Sequence, residues 1–386
     1  MKISNSITLQ EELVTDSIEL TDGHVVKKVS VEEGISVCQD EKFIYKKLYQ
    51  KERLVKDNLS DIVGNIINDY VSQKDIYILY ENKQLKRKIF GEDNCEHIIK
   101  SNYSEIVVCC TDKQLICPVF SYGITNNMLS PNEICFRTDL YIKYLQEKKN
   151  IIRLKNGKYN VVMFPEVMGV LIHEIIGHLC EADNYLDEQM PDYPIGYNFG
   201  MPITVYDDPC IPNAWGSISC DDEGNKAQRV VLVEKGYITN LLTSNSTAEQ
   251  VNIPNNGHAR CSKYDKKPIV RMTNTIMQFG TEDSDCMVQE MQDGIIARMT
   301  KGGYMYKDFF GITIIDGLYI HNGQVSTITN CLIRGRISDV INHITQISTK
   351  TETMSGRGCI KKGQGLLPVS VTSPYVTFES LYIEQK

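Results

Sequence analysis

Two histidines and a glutamate lie close together in the segment HEIIGH, as His173, Glu174 and His178. This set of side chains suits a catalytic divalent metal, because zinc binds neutral imidazole nitrogens and a neighbouring carboxylate can accept a proton from the bound water. The alternative is a pair of structural histidines in the core, on a helix that is otherwise apolar. Which of the two holds depends on whether the histidines reach one face of that helix.

The spacing of the two histidines is unusual. His173 and His178 are five residues apart, one more than in the common H-E-x-x-H zinc helix. At about 100° per residue they lie about 140° apart around an ideal α-helix, too far for both to bind one ion. A π-bulge, with hydrogen bonds from residue i to i+5, returns them to one face, and such bulges favour functional sites. The sequence therefore predicts a π-bulge here, with Gly177 easing the distortion.

A catalytic zinc site needs a third protein ligand, and the sequence offers several. The local candidate is Glu181, since some zinc peptidases use a downstream glutamate. Glu181 and Asp183 can instead orient a ligating histidine, or lie on the surface at the helix end. The distant candidates are the cysteines and the other five histidines, including the Cys95–His97 pair, which we interpret as part of a loop.

Among the distant candidates, Cys359 lies in a distinctive segment, SGRGCIKKGQG. The glycines let the backbone approach other groups closely. Arg357, Lys361 and Lys362 are expected to lower the pKa of the thiol, and a metal would deprotonate it outright. The alternative is a glycine-rich surface turn with an incidental cysteine. The residues alone leave this choice open.

The helix that carries the histidines has a clear start. Pro165 comes after the strand-like segment YNVVMF, and Glu166 lies just inside the first turn. Apolar spacing predicts further helices at about residues 58–73 and 136–148. A short helix capped by Ser284 is expected, with Gly294 as its stop.

Strand signals are more frequent than helix signals. Two-residue turns between apolar segments predict four β-hairpins, because an Asn-Gly or Asp-Gly pair adopts positive φ readily. The turns are Asp22–Gly23, Asn156–Gly157 and Asn322–Gly323, and Lys235–Gly236 is a weaker signal that suits a looser turn. Gly34 and the Gly302–Gly303 pair are also predicted to lie in turns.

Charge and composition exclude several classes of protein. A net charge of −8 over 386 residues gives no attraction to a phosphate backbone, so we expect no nucleic-acid partner. No apolar run reaches the ~18–20 residues of a membrane span, so we expect no membrane association. The N-terminus lacks the apolar stretch of a secretory signal. Thirteen scattered cysteines without a C-x-x-C pair indicate a reducing cytoplasm and mostly buried thiols.

Four segments in order resemble the TldD subunit of the TldD/TldE (PmbA) metallopeptidase family, and the resemblance extends over most of the chain. The first, HEIIGHLCEAD, is similar to the family's H-E-x-x-x-H-x-x-E-x-D helix. The other three are the DDEG stretch at Asp221–Gly224 with the RVVLVEKGYI hairpin after it, the RMTNT stretch at Arg271–Thr275, and the GCIKKGQGLLPV segment at Gly358–Val369.

The resemblance implies a zinc-dependent peptidase with His173, His178 and Cys359 as metal ligands and Glu174 as the acid/base that activates a zinc-bound water. Family members cleave unfolded or ribosomally made precursor peptides. They assemble as dimers that enclose the active site, so a homodimer or a heterodimer with a TldE-like subunit is expected. Two other functions stay open: a non-catalytic, zinc-stabilised peptide-binding partner subunit, and a zinc amidase acting on a small molecule.

We expect an α+β fold. An N-terminal antiparallel sheet with helices precedes a strand-rich, barrel-like C-terminal antiparallel β domain that carries the metal-binding helix. The predicted regions are an N-terminal α+β domain at residues 1–75, a central connecting region at 76–160 and a metallopeptidase domain at 161–386.

Overall fold

The computed structural model describes residues 6–21, 24–39, 42–54, 70, 76–90, 96–110, 120–127, 129–147, 151–187, 193–356 and 358–386. The helix predicted at about residues 58–73 lies outside these ranges except for Tyr70, and Arg357 lies outside them as well. Within the described ranges, none of the helices combines the length and apolar character needed to cross a bilayer.

The first six strands form one antiparallel sheet. They are β1 (Ser6–Thr21), β2 (His24–Gln39), β3 (Lys42–Leu54), β4 (Ile76–Phe90), β5 (Glu96–Cys110) and β6 (Phe120–Thr125). Their spatial order is β3-β2-β1-β4-β5-β6. Because β4 pairs with β1, the sheet continues across the boundary expected at residue 75, and the division into three regions stays a prediction. Glu96 and His97, expected in a loop, begin β5.

Among the described residues, one long helix, α1 (Pro131–Glu147), packs on this sheet. The Ser130 hydroxyl accepts a hydrogen bond from the Glu133 N–H at 3.2 Å, which caps the first turn. Ile134 and Tyr141 are buried in the core between helix and sheet. The helix predicted at about 136–148 is therefore confirmed, and it starts earlier because the serine and the proline after it form a helix start.

Fifteen further strands come after this helix, most of them in the C-terminal half. They are β7 (Gly157–Met163), β8 (Val205–Asp207), β9 (Val230–Glu234), β10 (Tyr237–Ile238), β11 (Ala259–Arg260), β12 (Ile269–Val270), β13 (Asn274–Met277), β14 (Gly294–Tyr306), β15 (Phe309–His321), β16 (Gln324–Ile328), β17 (Cys331–Arg336), β18 (Ile344–Met354), β19 (Cys359–Lys361), β20 (Gln364–Leu367) and β21 (Ser370–Gln385).

Five of these strands close into a barrel in the order β7-β14-β15-β17-β21, with β21 pairing back to β7. The β7–β14 pair is parallel and the other four pairs are antiparallel. Strand β13 extends the sheet from β21, and β8, β9 and β10 continue it. The predicted α+β fold, with an N-terminal antiparallel sheet and a barrel-like C-terminal domain, is confirmed.

The remaining helices are short. They are α2 (Pro165–Ile172), a π-helix (His173–Gly177), α3 (Ala182–Tyr185), α4 (Asn245–Val251), α5 (Ser284–Gln289), α6 (Ile337–Val340) and a 3₁₀ turn (Ile341–His343). The cap predicted at Ser284 is wrong by one residue, because Asp283 caps α5 by accepting hydrogen bonds from two backbone N–H groups. Gly294 does not end this helix but begins β14.

Helix α2 is the rigid base of the candidate site. Its residues are buried except for Glu166, since the run VMGVLI is apolar on every side. It packs against β14 and β21 of the barrel and shares the main core with them. Because α2 is held on all faces, it leaves little freedom to the next residue of the chain, which is His173.

Three of the four predicted hairpins are confirmed. Strands β1 and β2 pair down to Thr21 and His24, around the Asp22–Gly23 turn that lies outside the described residues. The Lys235–Gly236 turn has φ values of 48° and 87°, and the Asn322–Gly323 turn has 51° and 72°. Positive φ at both central residues is the geometry of a type I′ hairpin turn.

The hairpin predicted at Asn156–Gly157 is wrong. The preceding segment bonds to distant parts of the chain instead: the Ile152 N–H donates to the Thr327 carbonyl, and the Asn156 side chain accepts from the Gln385 N–H, both at 2.9 Å. Gly34, expected in a turn, lies within β2, where a Cβ would overlap the ring of Tyr264.

Candidate metal centre

The π-helix brings the two histidines to one face. The His178 N–H donates to the His173 carbonyl at 3.0 Å, which is an i→i+5 hydrogen bond. The two imidazole rings have centroids 4.8 Å apart and planes at 81°. The predicted π-bulge is therefore confirmed, and the long spacing of the histidines is compatible with a shared ion.

Gly177 was expected to ease the distortion of the helix, but the structure shows that it is needed for a close contact. A Cβ at this position would overlap the sulfur of Met272. The glycine therefore lets the Met272 side chain pack directly on the π-helix. Its φ is not in the left-handed region, so the close approach is what requires glycine.

Cys359 joins the histidines from the hairpin formed by β19 and β20. Its Sγ lies 3.3 Å from Nε2 of His178, and the thiol is buried with 7% of its surface exposed. The ligand atoms of His173, His178 and Cys359 all lie within 4.8 Å of one another. Among the described residues, this is the group of histidine, cysteine and acidic side chains with the arrangement of a metal site.

Glu181, the local candidate for a third ligand, supports His178 instead. Its Oε2 lies 2.7 Å from Nδ1 of His178. Burial acts to raise the pKa of this carboxyl, but Lys361 and His178 outweigh it and the pKa is lowered. An ionised carboxylate can only accept, so Nδ1 carries the proton and Nε2 is directed toward Cys359.

The basic residues after Cys359 bind carboxylates. Nζ of Lys361 lies 2.6 Å from Asp183 and 2.9 Å from Glu181, and Nζ of Lys362 lies 3.0 Å from Asp183. The lysines expected to act on the thiol are thus engaged elsewhere. Asp183 anchors both, so it is more than helix-end surface.

The imidazoles have the larger effect on the thiol. Burial acts to raise the pKa of Cys359, but the neighbouring His173 and His178 outweigh it and lower the pKa to about 5. For His178, burial acts to lower the pKa, but Glu181 and Cys359 outweigh it and raise it. A thiolate is the form of cysteine that binds metal ions.

Glu174 lies beside the three-residue cluster. Its Oε2 is 3.9 Å from Nε2 of His178 and its side chain is 13% exposed. Burial raises the pKa of this carboxyl, against the lowering effect of the two imidazoles. A carboxyl with a raised pKa is better suited to exchange protons near neutral pH than an ordinary glutamate.

The Gly302–Gly303 pair lies within β14, so its predicted place in a turn is wrong. The register of β14 with β15 shifts between Thr300 and Gly303. Here β14 passes over Glu174, and a Cβ at Gly303 would lie 2.9 Å from its Cγ. The bulge thus forms one wall of the candidate site.

Buried polar atoms without a hydrogen-bond partner indicate whether the cluster of His173, His178 and Cys359 can hold a further group. Among the described residues, Nδ1 of His173 is buried without a hydrogen-bond partner, and so are Nε and Nη1 of Arg271. Buried polar atoms are normally satisfied, so this imidazole is compatible with a ligand that the protein alone does not supply. Two imidazoles and a thiolate form a donor set that zinc accepts.

Sequence reasoning did not assign a role to Arg271. The residue is fully buried, and its Nη2 donates to the Cys359 carbonyl at 2.5 Å, which holds the ligand hairpin in place. The one signal in the sequence was its place in the RMTNT stretch. In the DDEG stretch, Asp222 binds Arg87 of β4 at 2.7 Å, so this motif joins the N-terminal sheet to the C-terminal half.

Comparison with known proteins gives consistent matches. Residues 156–385 match the model of the PmbA/TldA metallopeptidase C-terminal domain. A metalloprotease from Methanocaldococcus jannaschii is 31% identical over 241 residues, which is 59% of this chain and 53% of that protein. A zinc metalloprotease TldD homolog from Saccharolobus solfataricus is 25% identical over 351 residues, which is 88% of this chain and 78% of that protein.

The chain spans about half the length of the first of these curated relatives. In fold it is similar to the crystal structure of TldE from Thermococcus kodakarensis, with a TM-score of 0.71 and 13% identity over 98% of this chain and 96% of that one. At this identity the likeness concerns the fold alone.

Proposed function

The chain belongs to the PmbA/TldD metallopeptidase family, and from this we propose that it is a zinc-dependent peptidase that hydrolyses unfolded or ribosomally made precursor peptides. The observation that carries the proposal is the cluster of His173, His178 and Cys359, whose ligand atoms lie within 4.8 Å of one another beside Glu174. The cluster, the neighbouring carboxylate and the family's metallopeptidase character agree with one another.

We assign zinc binding to the two imidazoles and the thiolate. Nδ1 of His173 lacks a partner among the described residues, and Glu181 holds His178 with Nε2 facing the cluster. When bound, zinc supplies a Lewis acid that lowers the pKa of water and polarises the scissile carbonyl. Arg271 and Lys361 hold the backbone and the carboxylates around these ligands.

Glu174 is assigned the proton transfers. It takes a proton from the attacking water and delivers it to the leaving amine. Its position beside the cluster, rather than within it, leaves its oxygens available for this work. The raised pKa that burial gives it favours the second transfer, because the protonated carboxyl persists closer to neutral pH.

The edge of β14 supports an extended substrate. Strand β14 pairs with β7 only from Ile295 to Ala297, and beyond that point it pairs with β15 alone among the described residues. Apart from the Thr300 N–H, which donates to Glu166, this edge lacks a strand partner among the described residues as it runs past Gly303 and therefore past Glu174. An extended peptide can add to such an edge by main-chain hydrogen bonds, with little dependence on side chains.

This mode of binding selects against folded proteins. A folded domain would have to unfold before it could pair with β14, at a cost of about 5–15 kcal/mol. We propose that two chains enclose the site, either as a homodimer or with a TldE-like subunit, which narrows access further. The likeness of this fold to TldE is compatible with such pairing.

Zinc-loaded protein, tested on an unstructured peptide with mass-spectrometric detection, is the direct experiment. We expect cleavage that stops on chelation and returns when zinc is added back. Binding of the peptide without any cleavage would favour a peptide-binding partner subunit instead. Cleavage of simple amides together with inertness toward peptides would favour a small-molecule amidase.

A further inference from the structure

A cavity of about 220 Å³ lies beside the ligand hairpin, between the N-terminal sheet and the C-terminal half. Leu366 and Leu367 of β20 form part of its wall, and Leu367 is the strand partner of Cys359. The cavity and the candidate metal centre therefore share the β19–β20 hairpin. The volume of the cavity is below the ~300–1,000 Å³ of small-molecule pockets, so the cavity fits one side chain or a chain terminus.

One cation in the wall of this cavity lacks an acidic partner. Arg260 is 3% exposed, and its Nη1 donates to the Met272 carbonyl at 2.6 Å. Among the described residues, no carboxylate lies within ion-pair distance of its guanidinium. Burial and the neighbouring Arg271 lower the pKa of Arg260, against the raising effect of Tyr103, Asp222 and Asp207.

The other charges around the cavity are already paired. Arg87 binds Glu11 at 2.8 Å and Asp222 at 2.7 Å. Lys83 binds Glu81 at 2.8 Å. Glu105 has interactions of its own. Arg260 thus remains as the group whose charge a ligand could neutralise.

The walls near Arg260 also suit the apolar part of a side chain. Trp215 and Tyr103 meet edge to face with ring centroids 5.6 Å apart, and Ile218 lies beside them. The wall also contains charged residues of both signs, and apolar walls with a few convergent polar or charged groups are typical of a specificity pocket. In such surroundings a guanidinium–carboxylate pair is strong, because both partners are shielded from water.

We propose that this cavity is a specificity pocket that binds a substrate carboxylate through Arg260, either an acidic side chain or the C-terminal carboxylate of the peptide. The proposal rests on the proposed peptidase function and adds a preference to it. A peptide spans about 3.3 Å per residue. A residue a few positions from the bond at the metal centre can thus extend past the shared hairpin toward Arg260.

The protein contains its own reporter for this pocket. Trp215 is the only tryptophan in the sequence and lines the cavity, so its fluorescence responds to an occupant. The binding partner is zinc-loaded Glu174→Gln protein, which holds a peptide without cleaving it. The probes are tryptophan-free unstructured hexapeptides that carry glutamate or glutamine at each position in turn, with a free or an amidated C-terminus.

We expect peptides with the matching carboxylate to bind about tenfold more tightly than their neutral counterparts and to change the Trp215 emission. Preference for glutamate in amidated peptides identifies a side chain as the ligand. Preference for the free terminus in glutamine peptides identifies the C-terminal carboxylate. Equal binding of all the peptides, or no binding at all, overturns the inference.

Variants separate Arg260 from general charge effects. Arg260→Met should remove the tenfold preference, whereas Arg229→Gln, an exposed arginine outside the cavity, should retain it. Because Arg260→Met changes a buried residue, Leu366→Glu provides a second test at a position that is 45% exposed. Its carboxylate should compete for Arg260 and weaken acidic peptides alone.

Retention of the preference in both Arg260→Met and Leu366→Glu contradicts the assignment. The proposed pocket and the proposed peptidase function can fail independently of each other. Zinc-loaded wild-type protein that cleaves peptides without a carboxylate preference leaves the function intact and removes the pocket. A preference in the fluorescence titration without hydrolysis by wild-type protein leaves the pocket intact and removes the function.

Discussion

Gly303 lies directly against Glu174, with the position of a Cβ at residue 303 only 2.9 Å from Cγ of the glutamate. The contact joins two elements far apart in sequence: the bulge of β14 and the π-helix that carries the histidines. The φ of Gly303 is outside the left-handed region, so an alanine here meets a steric conflict without backbone strain. The contact therefore restricts where the carboxylate can point.

Gly303→Ala should displace two side chains, that of Ile312, whose Cδ1 would lie 2.4 Å from the new Cβ, and that of Glu174, while leaving the metal ligands in place. We expect kcat for peptide hydrolysis to fall about 10- to 100-fold, because small misplacements of a reacting group have effects of this size. Zinc content, measured by mass spectrometry, should not change. Gly365→Ala is the matched control, since a Cβ there meets no atom within 4 Å. Equal activity of the two variants would show that the contact does not position Glu174.

Glu174→Gln should abolish the proton transfers and preserve the shape of the site. The amide cannot accept the water proton, so hydrolysis should fall about 10²- to 10⁴-fold while zinc content and the unfolding transition stay as in the wild type. Kinetics on an unstructured peptide, with metal analysis of the same sample, test this. A variant that cleaves at nearly the wild-type rate would remove Glu174 from the mechanism.

Cys359→Ala should lose zinc, because two imidazoles alone bind the ion weakly. Metal analysis after dialysis should show clear loss, whereas Cys210→Ala, which changes an exposed cysteine elsewhere, should keep its zinc. Full occupancy in Cys359→Ala would transfer the third-ligand role to Glu181 or to another group.

Glu166→Gln should change the pH dependence of stability. Burial and the nearby Asp316 raise the pKa of Glu166 from its ordinary value of 4.5 to about 7, although the Thr300 N–H that donates to it acts in the opposite direction. Between pH 4.5 and about pH 7 the folded state therefore binds more protons than the unfolded state. The free energy of unfolding of the wild type decreases as the pH rises through this range.

Glutamine can still accept from Thr300 and cannot ionise. Glu166→Gln should therefore exceed the wild type in free energy of unfolding by roughly 1–3 kcal/mol at pH 8, and the difference should vanish near pH 4.5. Urea denaturation at several pH values measures it. Glu249→Gln, at an exposed helix position, is the control. A difference that does not depend on pH would contradict the ionisation of Glu166.

Assembly and substrate choice can be tested together. We expect a dimer, with itself or with a TldE-like partner, that cuts unstructured peptides and spares folded proteins. Light scattering gives the assembly state. Digestion of one polypeptide, first folded and then as an unfolded variant, gives the selectivity. A monomer that degrades both forms equally would contradict the enclosed site without affecting the zinc assignment.

Local geometry explains what the sequence could predict. The five-residue spacing of His173 and His178 excludes an ideal α-helix, so the spacing predicts the π-bulge once a shared ion is assumed. The turn at Asn322 is predictable because asparagine before a glycine adopts positive φ readily, whereas the Lys235–Gly236 turn was expected to be looser and has positive φ at both residues as well. In each case the determining residues are neighbours along the chain.

Contacts between distant residues could not be predicted in this way. Lys361 reaches Asp183 and Glu181, and Gly303 reaches Glu174, across more than 120 residues in each case. These contacts depend on strand register and on the bulge in β14, and a shift of one residue would turn every side chain to the other face. The hairpin predicted at Asn156–Gly157 is absent for the same reason, because this segment forms its hydrogen bonds with distant parts of the chain.

The strand that closes the barrel comes after Cys359. The cysteine meets His178 across 181 residues, and β21, which lies beyond it in the chain, completes the barrel by pairing with β7 and β17. A nascent chain that has emerged only as far as the π-helix holds two imidazoles and a glutamate but lacks Cys359 and the strands that close the barrel. The candidate metal centre can therefore assemble only after most of the chain has been synthesised.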